Sequence, residues 1–142
     1  MMEITYRKMH SNDHSAATAL WRSLPGMGLS GADAKAEIEK FLKKNPETCW
    51  VAEWGDSLAG TILGGSDGRR GYIYHLAVRE DLQKRGIGNG LLTRCLDAFR
   101  AAGIQKCHLL VYHDNLAGIA FWEHASWKLR EDVLIMSKDL EY

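Results

Sequence analysis

The sequence has 142 residues, the length of one ordinary domain, so separate cofactor and substrate domains are not expected and one domain is predicted over residues 1–142. Hydrophobic residues make up 46% and charged residues 25%, with only two prolines, a composition that excludes disorder and collagen-like order. Lys plus Arg number 18 and Asp plus Glu 18, so no global field favours nucleic acid or an anionic membrane, and any anion must be held by a local site.

No apolar stretch approaches the ~20 residues needed to cross a bilayer, and the start MMEITYRKMH lacks the apolar region of a signal peptide. A cytoplasmic location is predicted. Cys49, Cys95 and Cys107 are odd in number and lack C-x-x-C spacing, which suits free thiols rather than a disulfide frame. No metal site is expected: His10 and His14 stand at helical spacing, but in a polar run, HSNDHS, that reads as a solvated helix start.

In chain order, Ile4 to Arg7 reads as a first strand. Asn12 or Asp13 can cap a helix through Ala16, Ala17, Ala19, Leu20 and Trp21. SLPGMGLSGAD breaks regularity, and a second helix is predicted from Asp33 to Lys44, stopped by Asn45-Pro46. Thr48 to Trp54 and Leu58 to Gly64 flank the turn Gly55-Asp56-Ser57 and read as a hairpin. YIYHLAV, from Tyr72 to Val78, makes a third antiparallel strand; strict alternation places Tyr72, Tyr74 and Leu76 on one face and Ile73, His75 and Ala77 on the other.

The period then changes to 3.6: Ile87, Leu91, Leu92, Cys95, Leu96 and Phe99 form one helical stripe, and Gly103 serves as the C-terminal cap. KCHLLVY, from Lys106 to Tyr112, is another strand, parallel to YIYHLAV because a helix separates the two. A helix from Leu116 to His124 follows, and Trp127 to Lys138 is predicted to close the chain as one or two strands. The order β-α-α-β-β-β-α-β-α-β-(β) is an α/β arrangement, a mixed sheet flanked by helices.

The chemistry concentrates between Leu76 and Leu92. Gly86, Gly88 and Gly90 stand where a loop enters a helix, so backbone N–H groups and the helix dipole can meet an anion, with Lys84 and Arg85 beside them. A P-loop needs G-x-x-x-x-G-K-[ST], which is absent, and a dinucleotide fingerprint needs G-x-G-x-x-G directly after its strand, where this chain has G-x-G-x-G after a polar loop.

Gln83-Lys84-Arg85-Gly86-Ile87-Gly88 resembles the acetyl-CoA signature Q/R-x-x-G-x-G/A of the GNAT superfamily of N-acetyltransferases. The resemblance extends to Leu76-Ala77-Val78 before the signature, the amphipathic helix after it, and Asn115-Leu116-Ala117-Gly118-Ile119-Ala120-Phe121-Trp122 beyond the next strand. It implies a mostly antiparallel twisted sheet of six to seven strands flanked by about four helices, with splayed parallel fourth and fifth strands. It also implies acetyl-CoA as cosubstrate, with Leu76, Ala77 and Val78 pairing to the pantetheine arm and Gln83, Lys84, Arg85, Gly86, Ile87, Gly88 and Asn89 wrapping the pyrophosphate. Asn115 would bond the cofactor arm, serve as a helix N-cap, or do both. Trp122 stands where the family commonly has a tyrosine; an indole cannot cycle a proton at neutral pH, so it is assigned to packing beside the cofactor.

The implied reaction is transfer of acetyl to a primary amine of a small molecule or protein N-terminus by direct attack, with a catalytically silent acyl-CoA-binding module as the alternative. Neither splayed strand carries Asp or Glu, so the candidates for the proton relay are Tyr72, Tyr74, His75, Tyr112 and His113, with water relayed by Tyr or His as the fallback; Tyr74 and His75 are assigned the role, His75 also reading as a hydrogen-bonded half-buried histidine. Cys95 on the helix stripe and Cys107 in a strand read as core rather than nucleophiles, and Trp21, Trp50, Trp54 and Trp127 as packing. Asp33, Glu37 and Glu39 could meet a cationic amine or form a solvated helix face. The apolar VLIM segment and the Trp50–Trp54 hairpin offer an edge that a homodimer would cover. No nucleic-acid or membrane partner is expected.

Overall fold

The computed structural model describes residues 3–140, which divide into two compact units, 3–110 and 111–140. The first carries β1 (Ile4–Lys8), α1 (His14–Ser23), α2 (Lys35–Lys44), β2 (Trp50–Trp54), β3 (Ser57–Ser66), β4 (Gly71–Val78), α3 (Ile87–Ala101) and β5 (Cys107–Leu109). The second carries α4 (Leu116–His124). Short 3-10 turns stand at Ser11–Asp13, Gly31–Asp33 and Glu80–Leu82, so the second helix begins after Asp33 rather than at it.

The sheet order is β1-β2-β3-β4-β5; the first three pairings are antiparallel and β4–β5 is parallel, as the crossover through α3 requires. Trp54 pairs with Ser57 around Gly55-Asp56, where Gly55 supplies the positive φ that a two-residue hairpin turn needs. One sheet face is covered by α1 and α2, whose Ala17, Leu20, Trp21, Ile38 and Leu42 join Val51, Leu63 and Ala77 in a single cluster. The other is covered by α3. Gly60 and Gly64 let that helix lie close, since a Cβ at Gly64 would stand 2.6 Å from Cys95 Sγ and one at Gly60 would stand 3.0 Å from Leu91 Cδ1.

Three expectations are corrected. Among the described residues the sheet has five strands, not six to seven, because none of 127–138 joins a strand. Leu134 and Met136 are each 94% exposed, and a β-prone run with neither burial nor a partner has nothing to hold it as a strand. The strand predicted over Lys106 to Tyr112 shrinks to Cys107–Leu109, its pairing ending at Ile73↔Leu109.

The third correction explains the second. Between Thr61 and Leu63 the β3–β4 register slips, so Leu63 faces Tyr74 and Thr61 faces Ala77 while β4 carries an extra residue. A bulge bends its strand and reverses the alternation beyond it. Tyr74 touches Phe41 of α2, His75 touches Trp21 of α1, and Ala77 joins the α1–α2 cluster. Tyr72, Tyr74, His75 and Ala77 therefore share one face instead of dividing between two. β5, following the straight part of β4, loses its partner where the bend begins.

Candidate functional site

The bulge centres on His75, whose φ of +46° lies in the left-handed region that a side chain with a Cβ rarely occupies. Such strain persists only when the surroundings fix it. Here the Thr61 hydroxyl donates to the His75 carbonyl at 2.8 Å and itself accepts the Trp21 indole N–H at 2.9 Å. The Trp21 and His75 rings sit 4.6 Å apart, centroid to centroid.

The imidazole is held at its far end by a loop residue. His75 Nε2 lies 2.7 Å from Asp33 Oδ1, and both side chains are 15% exposed. The other Asp33 oxygen accepts the Ser30 N–H at 2.9 Å, closing the 3-10 turn, and its carbonyl accepts from His14 Nε2 at 2.8 Å. His75 Nδ1 has no hydrogen-bond partner among the described residues. Asp33 is thus neither a free partner for a cationic amine nor part of a solvated face, and His14 serves as an anchor for its loop. Tyr74 is 41% exposed; burial, and secondly the neighbouring Tyr72, push its phenol above the usual tyrosine value.

Beyond the bulge, Arg79 N–H donates to the Ala59 carbonyl at 2.9 Å. Antiparallel pairs alternate, so Ala77, opposite Thr61, also turns its backbone groups to β3, and those of Leu76 and Val78 point to the side that β5 has left. Splaying of the fourth and fifth strands thus opens a strand edge over Leu76–Val78. Gln83 Nε2 donates to the Val78 carbonyl at 3.0 Å, fastening the next loop to the end of that edge.

The loop then enters α3. Lys84 and Gly86 both have positive φ, +64° and +84°, and a Cβ at Gly86 would meet nothing within 4 Å. The first intrahelical bond is Gly90 N–H to Gly86 O at 2.9 Å, which leaves the N–H groups of Ile87, Gly88 and Asn89 ahead of the ladder at the positive end of the helix dipole. No acidic residue occupies that first turn, and Lys84 and Arg85 have no ion-pair partner among the described residues. These residues fit a pyrophosphate. Gly90 does not belong to the cradle: it faces inward, where a Cβ would collide with the Tyr6 ring.

The thiols are poor nucleophiles. Burial is the leading cause in all three, pushing Cys49 up to about 11 and raising Cys95 and Cys107 as well. Asn115 and Trp122 lie in the second unit. Asn115 caps α4, its side-chain oxygen accepting the Gly118 N–H at 3.0 Å, and Trp122 packs edge-on against Phe121 and Trp127.

The splayed fourth and fifth strands and the glycine-led start of α3 follow the order expected from the signature, whereas the bulge and the strain at His75 were not expected. The model of the Acetyltransferase (GNAT) family matches residues 14–126. The chain belongs to this family. An acetyltransferase of Pectobacterium atrosepticum is 33% identical over 144 aligned residues, 99% of this chain and 100% of its own length. Another, of Sodalis glossinidius, is 37% identical over 108 residues, 76% of each chain. The fold matches a PaiA N-acetyltransferase of Thermoplasma acidophilum in complex with coenzyme A, with a TM-score of 0.81 over 93% of this chain and 94% of that one at 17% identity. The GNAT chain is an acetyltransferase, and acetyl-CoA is its cosubstrate. Among its described residues no helix is long and apolar enough to cross a membrane.

The Asp33–His75 pair was invisible in the sequence, where 42 residues separate the partners. The one signal was a histidine inside an otherwise apolar and aromatic strand, a position that asks for a polar partner.

Proposed function

We propose that the chain is an acetyl-CoA-dependent N-acetyltransferase that acetylates a primary amine of a small molecule or protein N-terminus by direct attack in a ternary complex. The observation that carries this reading is the bulge in β4, which sets His75, with Nδ1 free, one residue from the open backbone edge of Leu76 to Val78.

In this reading Leu76 to Val78 hydrogen-bond the amide arm of acetyl-CoA as a neighbouring strand would, and the backbone of Gln83 to Asn89, with Lys84 and Arg85, neutralises its pyrophosphate. His75 Nδ1 receives the proton that an ammonium must lose before its nitrogen can attack. Such a base is worth roughly 10²–10⁴ in rate. A backbone N–H on the open edge, that of Leu76 or Val78, faces the carbonyl oxygen as it gains charge. The C–N bond forms and the C–S bond breaks; the thiolate takes a proton from the His75 imidazolium or water, and one proton passes to solvent. Tyr74, its phenol held above the usual value, acts as a hydrogen-bond donor to the thiolate rather than the source of its proton.

The experiment is an amine panel with thiol release as the readout. Release that requires both acetyl-CoA and an amine supports the transferase; tight coenzyme A binding with no release for any amine supports a silent binding module.

A further inference from the structure

We infer that Asp33 is a positioning residue for proton transfer: its carboxylate holds His75 in the tautomer with hydrogen on Nε2, leaving Nδ1 as the proton acceptor. The inference rests on the transferase reading above. It makes the acid–base unit a joint product of the loop ahead of α2 and the bulge of β4.

The geometry argues for this role over a merely structural one. Asp33 already closes its own turn with one oxygen, which accepts the Ser30 N–H, and an asparagine or serine could do the same. The second oxygen crosses to the sheet and meets Nε2 at 2.7 Å, the range of a charge-assisted hydrogen bond. A carboxylate is an acceptor only, so the hydrogen must lie on Nε2 whether the ring is neutral or charged. When Nδ1 takes a proton, the same carboxylate stabilises the imidazolium.

The carboxylate is itself immobilised. His14 Nε2 from α1 holds the Asp33 carbonyl at 2.8 Å, and Trp21 packs on the imidazole. The titratable groups around His75 are Asp33, His14 through that carbonyl, and Tyr74 and Tyr72 on the same face of β4. No lysine or arginine among the described residues bonds to either partner, so nothing competes for the carboxylate.

The test joins a spectroscopic and a kinetic readout. Two-bond ¹H–¹⁵N correlation spectra of histidine-labelled protein at alkaline pH, where an imidazole is neutral, should show His75 protonated at Nε2 in the wild type and a mixture of tautomers in Asp33→Asn. Asp33→Asn keeps the turn and should lower kcat roughly ten- to a hundredfold with KM for acetyl-CoA within about twofold. In a His75→Gln background the same substitution should change kcat by less than about threefold, because groups acting as one unit are not additive. A wild-type His75 carrying its hydrogen on Nδ1 would overturn the inference. So would a full Asp33→Asn loss persisting in the His75→Gln background. An inactive wild type with the Nε2 tautomer intact would overturn the transferase reading and leave the pairing standing.

Discussion

The Thr61 hydroxyl donates to the carbonyl of His75 at 2.8 Å and accepts the Trp21 indole N–H at 2.9 Å, so one buried side chain ties α1, β3 and the bulge of β4 together. Thr61→Val keeps the shape and removes both bonds, leaving a buried indole N–H unpaired. Loss of a buried partner costs about 1–3 kcal/mol. Urea unfolding should show that loss, and kcat should fall further than in a variant of equal stability altered on the α3 face, because the bulge loses its clamp.

His75→Gln removes the proton acceptor but retains a side chain that can reach Asp33. The expected result is a loss of kcat of about a hundredfold, the low end of acid–base catalysis, with coenzyme A affinity unchanged by calorimetry. Retention of kcat within about threefold would move the proton to water.

The glycines around α3 should separate by role. Gly88→Val places a branched side chain in the first turn, where phosphate must approach the backbone, and should weaken coenzyme A binding tenfold or more, about 1.4 kcal/mol. Gly90→Ala instead drives a methyl group into Tyr6 and should lower stability by about 1–3 kcal/mol through overpacking. The folded fraction of Gly90→Ala should bind coenzyme A normally by calorimetry.

The buried thiols give a pH dependence of known sign. Burial raises Cys49 from 9.0 to about 11 in the folded chain, so between those values the unfolded state has lost its proton while the native state keeps it. Stability from this group is fully present below about pH 9 and is lost as pH rises through 11, at up to ~1.4 kcal/mol per pH unit. Urea midpoints measured from pH 8.5 to 11 should fall, and Cys49→Ala should fall less steeply from its own lower starting stability.

The sequence made the periodic parts of this fold legible and left the site's centre hidden. YIYHLAV and the stripe from Ile87 to Phe99 are long and regular enough to name a strand and a helix, and the glycine at the start of that helix was legible as its N-terminal boundary. His75 adopts a positive φ because Thr61, Trp21 and Asp33, none of them its neighbours in sequence, hold it there, and local propensity carries no trace of such contacts. The same limit explains the tail: VLIM has the composition of a strand, but composition supplies no partner.

Whether the chain transfers acetyl is read most directly by mass spectrometry of the products when it is given acetyl-CoA and a panel of primary amines, alongside free-thiol release. An acetylated amine should form in equal amount with free coenzyme A, about a hundredfold more slowly with His75→Gln and with weaker acetyl-CoA affinity in Gly88→Val. Coenzyme A bound at the cradle with no acetylated amine, or thiol released only by hydrolysis, would contradict this.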